Sequence, residues 1–206
     1  IQFSEEGNYK LALKYFKILT LLQPSAAVGF YNMGNTYLEL KDFKNAKDHF
    51  KKALSLEPEY EPALSNLGAV YRILGNLKKS LDKYRDAIKV KPDNPKNYYN
   101  IAITFKEAGK IEDAEENYRK AINIDPKYID SIHNLALIHE ERGEIKEALN
   151  IAKKVWKFEV DSPDINHSIG IMNLQLGHLR EGWRFFEYRW KVAQYKEVIW
   201  PFQGKP

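Results

Sequence analysis

Asn stands at positions 32, 66, 100 and 134, so four side-chain amides recur with a spacing of 34 residues. Asn is a mediocre helix former, costing roughly 0.6 kcal/mol against Ala in a helix interior, yet each of these lies in a segment of helical pattern such as "YNMGNTY" (31–37). A carboxamide offers one C=O acceptor and one NH2 donor. It can therefore pair with the N–H and C=O of a polypeptide main chain without reading side chains. Other chemistry is thinly represented. The five His include His133 and His139, which are six apart and do not share a helix face. No H-E-x-x-H, Gly-rich phosphate loop or nucleophile elbow occurs. His133 and His167 lack third and fourth ligands for a metal. No catalytic residue, no metal and no cofactor are expected.

The elements that carry the amides repeat with the same period. Pro24, Pro58, Pro92 and Pro126 are spaced by 34, as are Gly75, Gly109, Gly143 and Gly177, with Lys41 in the equivalent place one copy earlier. Phe16, Phe50, Tyr84, Tyr118 and Phe186 share one register, in which Ala152 fills the single gap. Small residues follow suit, at Ala46, Ala114 and Ala148 and at Gly34, Gly68, Ala102, Ala136 and Gly170. Within the unit starting at Ala27, Phe30, Met33, Tyr37 and Leu40 fall at helical spacing. A break follows at "LKDF", "LGNL", "AGKI", "RGEI" and "LGHL", where Gly permits the left-handed conformation that ends a helix. A second helix then presents Phe43, Ala46, Phe50 and Leu54 and stops before Pro58. Each unit is a pair of antiparallel helices. One pair cannot bury both its faces, but stacked pairs can, which predicts an all-α solenoid with a continuous core.

The pattern "FYNMGNTY…AKDHF…P" resembles the tetratricopeptide repeat, in which an aromatic, Leu-Gly, Tyr, Ala, an aromatic and Pro follow in order. The resemblance covers nearly the whole chain. It implies one right-handed αα-superhelix: a partial repeat at 1–26, full repeats at 27–60, 61–94, 95–128 and 129–162, and a last repeat from 163 that runs into an aromatic helix and tail, 163–206. The unit at 129–162 departs from the pattern, with Ala152 for the aromatic and Val160 for the Pro, and altered packing is expected there.

In that family the sixth residue of each unit lies on the side of the first helix that lines the groove. The resemblance thus implies a ladder of Asn32, Asn66, Asn100 and Asn134, continued by Ser168, holding an extended protein or peptide ligand. It is similar to the asparagine ladder in the repeat domain of O-GlcNAc transferases. The amides either grip a guest backbone in this way or bond to neighbouring helices as packing features. Groove neighbours would set ligand choice: Tyr31, Tyr99, His133 and His167 at fifth positions, and Arg72 and Lys106 further along. Tyr suits such a surface, being amphipathic with few rotors to freeze.

The segment "LGHLREGWRFFEYRW" puts Trp183, Phe186 and Trp190 on one helix face. Either it packs on the preceding pair, or it docks on something outside this chain. It also resembles a segment that follows the repeats in many bacterial tetratricopeptide proteins, where a Pro-containing linker leads to a glycosyltransferase-like domain. The chain would then be the substrate-presenting arm of a larger enzyme. A third reading is a self-assembling scaffold, a homo-oligomer built through the terminal helices.

Composition bounds the rest. With 44% hydrophobic and 29% charged residues the chain is globular. The absence of Cys excludes disulfides and thiol chemistry. A net charge of +4, with Asp interleaved in "KDFKNAKDHFKK" and "KKSLDKYRDAIKVK", describes a solvated helix face rather than a nucleic-acid surface. No run approaches ~18 apolar residues, so no membrane span is expected. The start, "IQFSEEGNYK", has neither signal-peptide regions nor an initiator Met, so a trimmed fragment of a cytoplasmic protein is expected.

Overall fold

The computed structural model describes residues 6–158 and 162–187. They form the helices α1 (Glu6–Leu22), α2 (Ala27–Glu39), α3 (Phe43–Leu56), α4 (Glu61–Ile73), α5 (Leu77–Val90), α6 (Pro95–Glu107), α7 (Ile111–Ile124), α8 (Ile129–Glu141), α9 (Ile145–Trp156), α10 (Pro163–Gln175) and α11 (Leu179–Phe186). The first helices α2, α4, α6, α8 and α10 begin at Ala27, Glu61, Pro95, Ile129 and Pro163, 34 residues apart. The chain divides into two compact units, 1–124 and 125–206.

The turns between paired helices are built from the residues that the period singled out. Gly75, Gly109, Gly143 and Gly177 have φ between 72° and 77°, and Lys41 takes the same left-handed conformation with φ 58°. At the end of α4, Gly75 N–H donates to Arg72 O (2.9 Å) and Asn76 N–H to Tyr71 O (2.8 Å). That pair of reversed bonds satisfies carbonyls the helix leaves open. Asn76 then turns to α5, where its side chain accepts from Lys79 N–H (3.2 Å). One residue thereby closes one helix and caps the next, which keeps the turn short and the pair antiparallel.

Unit 1 (α1–α7) packs each helix on the next in sequence, and the first helices α2, α4 and α6 also touch one another. The second helices α3, α5 and α7 reach no comparable mutual contact, so the first-helix layer is the inner one of this unit. Its core holds Ala46, Phe50, Ala53, Ala63, Leu67 and Val70. The small eighth residues have a measurable reason. A Cβ built on Gly34 would lie 2.6 Å from the Phe50 ring, and one on Gly68 would lie 2.9 Å from the Tyr84 ring. The aromatic of each second helix rests directly on the backbone of the first.

Unit 2 (α8–α11) pairs α8 with α9 and α10 with α11, and α10 also packs on α9. Its core holds Ala148, Leu149, Ala152, Ile169 and Met172, with Trp156, Ile165 and Phe185 beside them. Gly170 is closer still to its partner: a Cβ there would meet the Phe186 backbone N at 2.5 Å.

Candidate functional site

The inner face of unit 1 is formed by one side of α2, α4 and α6, and the predicted asparagines stand on it in two different states. Asn32 and Asn100 are half-buried, and their backbone carbonyls accept from Thr36 Oγ1 (2.8 Å) and Thr104 Oγ1 (2.9 Å). Among the described residues, neither side-chain amide has a hydrogen-bond partner. Asn66 is engaged. Its Nδ2 donates to Asn35 Oδ1 (2.7 Å) and to the Tyr31 hydroxyl (3.4 Å), both on the preceding first helix. In unit 2, Asn134 Nδ2 donates to Asp130 O (2.8 Å), one turn back on its own helix. The sequence reading passed over Asn35. It is polar, one helical turn from Asn32, and 31 residues before Asn66, the separation at which two first helices meet.

Tyr31 is tucked beside two other rings, 5.9 Å from Phe50 and 5.2 Å from Tyr60 between centroids. Tyr99 lies 6.1 Å from Tyr118. Both tyrosines therefore join the wall by one face and keep part of their surface open. Arg72 is not a free cation. Its Nη1 donates to Glu107 Oε1 at 2.5 Å across α4 and α6. From the sequence Arg72 stands as a groove cation by itself, although Glu107 follows 35 residues on, one repeat plus one, which was the available signal. Lys106, on the same turn of α6, is half-buried and has an interaction partner of its own.

Burial governs the phenols beneath this face. Tyr84 is 1% exposed, and burial pushes its hydroxyl up to about 12 against the opposing pull of Arg72. Burial raises Tyr118 as well, helped by Tyr99 and Glu107. Both phenols stay protonated across the physiological range. The Tyr118 hydroxyl itself is buried without a partner.

In unit 2, His133 is exposed, whereas His167 is 7% exposed and stacks on Phe186 (5.2 Å between centroids). The fifth position of α10 thus faces the neighbouring helix, and His167 is a packing residue there. Trp183 and Phe186 form an edge-to-face pair, 5.6 Å apart at 84°, and Trp183 remains 55% exposed. Trp190 lies outside the described residues. Among the described residues, no group of three or more His, Asp or Glu is placed to hold a metal ion. Nor is any helix there long and apolar enough to cross a membrane.

Models of the tetratricopeptide repeat match residues 27–60, 59–127 and 105–167, the first of them coinciding with the pair α2–α3. The chain belongs to the tetratricopeptide repeat family. Solved structures agree on the fold. The repeat protein is similar to MamA 41-end from Desulfovibrio magneticus RS-1, with 25% identity and a TM-score of 0.68 over 76% of this chain and 89% of that one. It is similar to pilF of Pseudomonas aeruginosa, with 13% identity and a TM-score of 0.79 over 91% and 86%. It is also similar to YrrB, described as a tetratricopeptide protein with an unusual peptide-binding site, with 15% identity and a TM-score of 0.67 over 89% and 94%. No curated protein sequence matches significantly. As a solenoid of these repeats the chain is a protein-interaction module of a typically non-catalytic kind.

Proposed function

We propose that the inner face of unit 1 binds an extended polypeptide segment by its main chain, with Asn32 and Asn100 as the bidentate contacts. The observation that carries this is the unengaged state of those two amides on a face where Asn66 and Arg72 already have partners. A half-buried amide without a partner gains more from a guest N–H and C=O than one that must first give up an existing bond. Asn66 spends its NH2 on Asn35 and keeps its carbonyl for a guest N–H. Packed helices lie about 8–10 Å apart, and an extended chain advances about 3.3 Å per residue. Successive first helices would therefore meet roughly every third residue of the guest. Tyr31 and Tyr99 supply rigid apolar contact between those points, and YrrB, which shares the fold, is described as having a peptide-binding site.

The test screens the chain on a peptide array and measures the strongest peptides by fluorescence polarisation. Asn32→Ala and Asn100→Ala should each weaken binding about tenfold, since two neutral hydrogen bonds at about 0.5–1.5 kcal/mol each are lost. Unchanged affinity in the double variant removes the proposal.

A second reading attaches to α1. Leu11, Tyr15 and Ile18 are 42%, 56% and 43% exposed on one face. The residues one repeat later in the same register are Asn45, His49 and Lys52, and after two repeats Lys79, Lys83 and Asp86. An apolar face where sister helices are polar suits end-to-end assembly with the exposed Trp183 of another copy. Light scattering over a concentration range decides it, because a strict monomer at high concentration rejects assembly.

A further inference from the structure

In unit 1 each second helix buries a ring at this register position, Phe50, Tyr84 and Tyr118, whereas α9 of unit 2 holds Ala152 there. Unit 2 does not close over that loss. Ala152 is 8% exposed, whereas the much larger Phe50 and Tyr118 are both 0% exposed. A cavity of about 210 Å³ opens at this point between α8, α9 and α10. Ala136, Leu137, Ala152, Val155, Ile165 and Met172 wall it. Ala136 is the eighth residue of its unit, the place on which Phe50 and Tyr84 rest in unit 1 through Gly34 and Gly68. The residue that should receive the ring and the residue that should supply it therefore face the same void.

We infer that this cavity is a binding pocket for a Trp side chain presented by a partner polypeptide. The size is sufficient, since an apolar cavity of roughly 150 Å³ holds a benzene ring. The walls are apolar, and Met172 is an adaptable surface for a flat ring. The rim is not apolar: Asp130, His133 and Glu140 of α8 line the same opening. A Trp entering with its benzo ring first keeps the indole N–H, which lies close to the attachment point of the side chain, near the mouth and those carboxylates, as a buried Trp requires. Asp130, His133 and Glu140 stand at the second, fifth and twelfth positions of their first helix, so the mouth opens on the first-helix side. The inference rests on the reading of the chain as a polypeptide-binding module, but it concerns unit 2 alone.

The test uses small probes on the whole chain. Indole is titrated with toluene as the tipless control, and the methyl resonances of Ala136, Ala152 and Met172 are followed by NMR. Those methyls should shift, with indole binding several-fold tighter than toluene. Ala152→Phe restores the ring of the register, and should raise the melting temperature and weaken indole at least tenfold. Ala152→Leu fills the space more gently and serves if the Phe variant folds poorly. Asn32→Ala/Asn100→Ala should bind indole as the wild type does, which separates this pocket from the main-chain contacts of unit 1. The inference is overturned if indole leaves those methyls unmoved, if it shifts methyls elsewhere instead, or if a folded Ala152→Phe or Ala152→Leu binds it unchanged.

Discussion

Tyr84 makes the stability of unit 1 sensitive to alkali in a way that one substitution isolates. Its hydroxyl titrates near 10 when the chain is unfolded and is raised to about 12 in the folded protein, first by burial. A group whose folded value is raised contributes stability that is fully present below the unfolded value and is lost as pH climbs through the folded one. Between about pH 10 and 12 the unfolded chain gives up this proton while the folded chain keeps it. Stability then falls by about 1.4 kcal/mol per pH unit, or about 3 kcal/mol across the window. Tyr84→Phe keeps the ring packed on Gly68 and removes the titration. The wild type should therefore lose about 2–3 kcal/mol relative to the variant between about pH 10 and 12, whatever their difference at pH 7. Urea melts followed by circular dichroism at stepped pH measure this directly. Groups common to both proteins cancel in the difference. Curves that stay parallel through that window would refute the assignment of a buried, neutral phenol.

Glu61 Oε1 accepts from Asn94 Nδ2 (2.9 Å) and from the fully buried Asn97 Nδ2 (2.6 Å), so Glu61→Ala orphans a buried donor and should cost about 1–3 kcal/mol by chemical denaturation. Gly34→Ala gains up to about 1 kcal/mol in helix propensity but drives a Cβ to 2.6 Å from the Phe50 ring. Overpacking of about 1–3 kcal/mol outweighs that gain, and a variant as stable as the wild type would show that the ring moves freely. Lys41→Gly relieves a non-Gly residue at φ 58° and should raise the urea midpoint, adding about 1 kcal/mol. The reverse change, Gly75→Ala, should lower it by a similar amount.

The period of 34 made the helix pairs, their turns and their boundaries legible, because each depends on a few residues near one another in the chain. Gly75 and its equivalents end helices by backbone conformation alone, and Lys41 could be placed among them by position despite its side chain. Gly34 and Gly68 were legible as sites of close approach, since a small residue opposite a ring has one geometric meaning in a stacked pair. Ala152 was visible as a departure, and altered packing was expected of it. That the departure is a cavity facing α10, rather than a collapse of α8 onto α9, was not visible, because it depends on how far neighbouring helices relax into a missing volume.

The sequence by itself determined an all-α repeat fold, the placing of every described first helix, and the layer on which the recurrent amides stand. Only the tertiary structure decided which of those amides have partners. Asn66 is tied to Asn35, 31 residues away, and Arg72 to Glu107, 35 residues away, while Asn32 and Asn100 are left open and His167 is turned against Phe186. The physical reason is one of range. Helix spacing and turn conformation are set within a few residues, but a hydrogen bond forms or fails over a few tenths of an ångström, and those are fixed by how separate helices come to rest on one another.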